Sequence, residues 1–143
     1  MKAISIKQPW AWAFCHGKDV ENRDWRYRPT YRGPILIHAS KTFDREGYAW
    51  LLDHCQYLDI PWQSFPDEQD FSLRMSGFGM GGVVAVGYMA GTVTNSDSPF
   101  FFGPIGLLIN HVRPTEFIEC RGQLGLFDID CPELHKINFR YGS

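Results

Sequence analysis

The densest chemistry in this chain lies in GKDVENRDW, residues 17–25, where Lys18, Glu21 and Arg23 precede Trp25. In an extended chain alternate side chains share a face, so Glu21 and Arg23 fall together and can hold each other's geometry. Lys18 joins them only if the chain turns just after Gly17. A lysine partly desolvated beneath aromatic rings can act as a base near neutrality, and a glutamate beside it can order a water or receive a ligand amino group. Arg23 adds a planar fork that suits phosphate or a base edge. The same Glu and Arg serve equally well as a structural clamp.

A second polar group occurs in IHASK, where His38, Ser40 and Lys41 are expected to end a strand beside the start of a helix. Exposed N–H groups and the helix dipole favour an anion at such a place. Lys41 is the better phosphate candidate, since Ser40 also reads as a helix-start residue and His38 as a satisfied core histidine. Gln8, Trp10 and Trp25 are candidates for a base-edge amide and a stacking ring, although Trp10 shares a helical face with Phe14 and so also reads as core. Asp97, the only acid between Asp70 and Glu116, is the candidate for a second carboxylate. Its Ser, Pro and Asn neighbours favour an Asx-turn there as well.

Positioning these groups falls to a small set of elements. AISIK alternates and predicts a strand, Gln8 and Pro9 begin a short helix, and Gly17 stops it in a left-handed cap. DVENRDW is expected to be extended, RYRPTYRG turn-rich and GPILIHAS a strand. Thr42 is placed to cap a second helix with Asp44 and Glu46 in its first turn and Tyr48, Leu51, Leu52 and Cys55 on its core face. Residues 58–80 lack a sustained period and read as a long surface loop, a candidate rim, lid or protein-partner site. GGVVAVGYMAGTVT predicts a strand whose glycines mark a bulge or a close backbone approach, NSDSPFFFGP a loop, and IGLLINHVR and QLGLFDID the last strands. Gly77, Gly79 and Gly82 match G-x-G-x-x-G, but a strand follows them where a dinucleotide site needs a helix. The expected class is α+β: about six strands in a curled sheet or barrel, with two helices in the N-terminal half.

Composition narrows the function classes. The 143 residues fit one domain; 44% are hydrophobic and 15% aromatic, a ring content beyond what one core requires. A net charge of −2 conceals an asymmetry: residues 1–41 carry eight Lys/Arg against three Asp/Glu, and residues 42–143 carry six against thirteen. Cations interleaved with Trp10, Trp12, Trp25, Tyr27 and Tyr31 suit a phosphate-bearing ligand whose bases stack. No secretory leader or membrane-spanning run is read, so the expected location is cytoplasmic and no membrane partner is expected. Cys15, Cys55, Cys120 and Cys131 have neither CxxC spacing nor a secretory context, so neither disulfides nor a metal site are expected.

SIKQPWAWAFCHGKDVENRDW, then YRGPILIHAS, FFGPIGLLI and RGQLGLF, resembles the ASCH domain family of PUA-like barrels, in family order and over most of the chain outside residues 58–80 and the last dozen. The family signature is G-x-K-x-x-E-x-R; Lys18, Glu21 and Arg23 keep its spacing, while Gly17 abuts Lys18 without the intervening residue. The resemblance implies a single PUA-like domain that binds RNA or a modified nucleoside, needs no cofactor, and has its site at Lys18, Glu21 and Arg23. It also implies that the loop carrying Asp97 approaches them from the opposite side. Some members are ribonucleases, and one bacterial branch hydrolyses N4-acetylcytidine with a Lys, Thr and Glu set, so a hydrolase is the implied alternative. That branch's lysine aligns with Lys18, but its threonine falls on Glu21, which lacks a hydroxyl nucleophile.

Overall fold

The computed structural model describes residues 1–26, 28–61, 64–65 and 79–130. Its elements in chain order are β1 (Lys2–Gln8), α1 (Trp10–Ala13) running into a 3-10 turn (Phe14–His16), β2 (Val20–Arg23), β3 (Gly33–Phe43), α2 (Arg45–His54), β4 (Gly82–Val93), β5 (Ile105–Glu119) and β6 (Leu126–Asp128). The strands form one six-stranded sheet in the order β2-β5-β4-β3-β1-β6. All neighbours are antiparallel except β1 and β3, which run parallel with Ser5 opposite His38.

The α+β class and the strand count agree with the sequence, whereas the sheet is open, with β2 and β6 at its edges. The curl is nevertheless strong. β6 pairs only with Lys2, Ala3 and Ile4 of β1, and beyond that stretch Arg23, on the far edge strand, reaches Ser5 by donating from its guanidinium to the Ser5 carbonyl at 2.9 Å. The two ends of the sheet therefore approach within side-chain reach, leaving a gap between β2 and the second half of β1.

β3 explains why the sheet holds. Its ILI run is buried on both faces, with Ile35 and Ile37 in one apolar cluster beside Ile4, Ile6, Met89 and Ile109, and Leu36 in another beside Val83, Val86 and Phe127. A third cluster, Ala13, Val20, Leu51, Ile60 and Phe100, seats both helices and the start of β2. The glycine-marked irregularities in β4 are present: its pairing with β5 shifts across Gly87, where an added Cβ would lie 2.9 Å from the Ile109 side chain.

Local signals held in some places and failed in others. Gly17 ends the first helical segment at φ 106°, as its cap position requires. Thr42 does not cap α2: β3 continues through it to Phe43, and Asp44 is the cap, accepting from the Gly47 N–H at 2.9 Å. Asp and Thr are comparable caps locally, and the three added residues of β3, Lys41–Phe43, decide between them. Leu52, expected on the core face, is exposed, whereas Leu51 is fully buried. Cys15, Cys55 and Cys120 are free and none is fully buried. Among the described residues no helix is long and apolar enough to cross a membrane. Residues 62–63 and 66–78, the greater part of 58–80 and of the suggested partner site, lie outside the described residues.

Candidate functional site

Gly17 turns the chain so that Lys18 swings back beneath the first residues of β2. There its ammonium donates to the Val20 carbonyl and pairs with Glu21 Oε1 at 2.9 Å. Three rings surround it, with Phe14, Trp10 and Phe100 centred 4.7, 5.4 and 5.8 Å from Nζ. On the other side the Arg23 guanidinium donates to Glu21 Oε2 and, at 2.9 Å each, to the carbonyls of Asn22 and Ser5. The three residues thus form a linear array of cation, carboxylate and cation, with side-chain exposures of 2%, 9% and 21%.

Burial alone would push the Glu21 carboxyl up. The charges and hydrogen bonds of Lys18 and Arg23 outweigh it and hold the group below its ordinary value. Glu21 is therefore an ionised acceptor with a cation at each oxygen. That makes it a poor general base and a well-oriented partner for a ligand N–H.

This array lines a cleft of about 510 Å³, together with Ser5, Lys7, Trp10, Asn22, Asp44, Phe102 and Leu124. The cleft occupies the gap left by the open sheet. Asn22 was not singled out in the sequence, yet it organises one wall: its amide donates to the Phe100 carbonyl at 2.9 Å while its oxygen accepts from the N–H groups of Phe102 and Gly103 at 2.7 and 3.0 Å. The Phe102 ring, 60% exposed, is carried to the rim by these bonds. Trp10 also lines the cleft, its indole N–H donating to Asp44 Oδ2 at 2.7 Å and its ring lying against Gly47, where a Cβ would come within 2.6 Å.

A wider cleft of about 1100 Å³ adjoins it, sharing Ser5, Lys7, Arg23 and Leu124 and adding Trp25, His38, Ser40, Lys41, Glu119, Arg121 and Gln123. The sequence candidates divide across the two clefts. Lys18, Glu21, Arg23 and Trp10 meet in the inner one, and Trp25, His38, Ser40 and Lys41 line the outer one with Arg23. Ser40 and Lys41 lie within β3 and not at a helix start, so the expected dipole contribution is absent there.

Two candidates are placed elsewhere. Gln8 lines neither cleft: it is fully buried, its amide N–H donates to the Gly79 carbonyl at 3.0 Å and its oxygen accepts from the Trp12 N–H at 2.8 Å. Both ends of that amide are spent on backbone. Asp97 is exposed and lines neither cleft; the loop is tied down next to it instead, where the Ser98 hydroxyl donates to Asp19 at 2.6 Å. The second carboxylate in the inner cleft is Asp44.

His38 reaches the outer cleft but is engaged at both nitrogens. Its Nε2 donates to the Cys120 carbonyl at 2.8 Å, which leaves Nδ1 to accept from the Ser5 hydroxyl at 3.0 Å. Burial pushes its value below the ordinary one, against the opposing pull of the Cys120 carbonyl, so the neutral ring is favoured. Among the described residues no group of three or more His, Cys, Asp or Glu is placed to hold a metal ion. Comparison of the chain with models of known protein families finds no match, and comparison with curated proteins finds none either.

Proposed function

We propose that this chain is an ASCH-like, PUA-related domain that binds RNA or a modified nucleoside, with one base held in the inner cleft. The observation that carries this reading is the ionised Glu21 fixed between Lys18 and Arg23 at the floor of a cleft whose rim bears the exposed Phe102 ring. A nucleobase offers the complementary features: ring N–H and amino donors for the carboxylate, a carbonyl acceptor for the Arg23 N–H groups left over from its three bonds, and a face for stacking. The Arg23 bridge from β2 to β1 supports a barrel-like closure completed by a side chain where strand pairing stops.

The same geometry argues for recognition over hydrolysis. Glu21 is held as a paired acceptor, and the Ser5 hydroxyl donates to buried His38. Two measurements test the reading. Replacing Arg23 with Gln, in protein shown to remain folded, is expected to weaken RNA or nucleoside binding by roughly tenfold or more; unchanged affinity would remove the inner cleft from consideration. Incubation with N4-acetylcytidine and with mixed RNA between about pH 6 and 9 is expected to leave both intact. Release of cytidine or strand cleavage would put a hydrolase in place of the binding module.

A further inference from the structure

The outer cleft has an electrostatic character that the inner one lacks. Among the described residues its lining carries four cations, Lys7, Arg23, Lys41 and Arg121, against the one carboxylate of Glu119, on a chain whose net charge is −2. Arg23 is shared with the inner array, whereas Lys7, Lys41 and Arg121 form no ion pair among the described residues. Three cations that converge on one concavity with no ion-pair partner among the described residues repel each other and raise the local potential, so a bound anion relieves the site. Trp25 forms an apolar wall beside them, with Arg23 centred 5.7 Å from its ring.

We infer that the outer cleft is a phosphate subsite, so that the ligand carries a phosphate ester alongside the base held in the inner cleft. This rests on the base-binding reading above and extends it from nucleosides in general to phosphorylated ones. Connectivity favours it: the clefts meet at Ser5, Lys7 and Arg23, so a ligand with its base on Glu21 extends directly under the cations. The outer space is also about twice the inner one, room for a sugar-phosphate in place of a second buried base. Guanidinium and ammonium groups supply the charge-assisted donors that phosphate oxygens accept. A free mononucleotide and a single strand of RNA both supply such a phosphate, and the recognising chemistry is the same.

The test compares the common nucleosides and N4-acetylcytidine, their 5′-monophosphates and a five-nucleotide RNA, titrated at low salt into the full chain and into Lys41→Glu/Arg121→Glu. Both positions are exposed, and circular dichroism checks that the variant folds. The phosphorylated ligand is expected to bind at least roughly tenfold more tightly than its nucleoside. The double reversal should abolish that advantage while leaving nucleoside affinity in place. An advantage for monophosphates identifies a nucleotide site, and one confined to the pentanucleotide identifies a strand site. Equal binding of nucleoside and phosphorylated forms, or an advantage that survives the double reversal, overturns the phosphate subsite but leaves the inner-cleft reading standing. Absence of binding by every ligand overturns both.

Discussion

The two clefts use the same residue types in opposite ways. In the inner cleft Lys18 and Arg23 are tied to Glu21 and to backbone carbonyls, so their charges are already answered before any ligand arrives. In the outer cleft Lys7, Lys41 and Arg121 are exposed and form no ion pair among the described residues. A charge paired and buried is a rigid positioning device whose loss is costly to the fold. An unpaired surface charge costs the fold little and is available to a ligand. Lysine and arginine in a sequence therefore say little about role until their partners are known.

The comparison is broken most directly at Glu21. Glu21→Ala leaves the buried Lys18 ammonium without its counter-charge and is expected to cost about 3–5 kcal/mol, read from chemical denaturation. A cost below about 1 kcal/mol would mean that the array is not a structural device. Asn22→Ala strips the Phe100–Gly103 loop of three hydrogen bonds and should cost about 1–3 kcal/mol while freeing Phe102, visible as loss of nucleoside affinity beyond the loss of stability.

Acid sharpens the contrast further. His38 lies below its ordinary 6.5 in the folded chain, so the unfolded chain protonates first and stability falls as pH drops from about 6.5 through the folded value. His16, lowered by burial where it stacks on Trp12, acts in the same direction, so His38→Gln should reduce this slope without removing it. Glu21 governs a lower window: its stabilisation is complete above its ordinary 4.5 and is lost as pH falls through the depressed folded value. Denaturation midpoints across both windows, with Glu21→Gln as the control for the lower one, check the assignment. The smallest effect belongs to the outer wall. Lys41→Ala and Arg121→Ala should each change stability by no more than about 0.5 kcal/mol, and a larger loss would mean that these cations have structural partners after all.

Much of this was legible in the sequence where a local rule and the tertiary structure agreed. Gly17, the β1 alternation and the β4 glycines each needed only their immediate neighbours; spacing put Glu21 and Arg23 on one face, and Lys18 joins them through the turn at Gly17. Gln8 and Asp97 could not be placed that way, because whether a polar side chain meets backbone, solvent or a cleft depends on strands far away in the chain. The same holds for Ser5 and Lys7, which occupy the polar positions of an alternating strand and carried no further mark, and for Arg121, in a short loop rich in glycine. Asp44 was visible as a first-turn acid, yet the three added residues of β3 made it the cap and brought it to the cleft.

The Arg23 bridge has a consequence beyond recognition. A residue that both laces two ends of a sheet together and lines the cleft answers to assembly and, on the reading proposed above, to affinity at once, and few substitutions satisfy both. The outer wall has no such double duty. Specificity in a scaffold of this kind can thus drift or be engineered along Lys7, Lys41 and Arg121, while the inner array stays fixed as the part on which the shape itself depends.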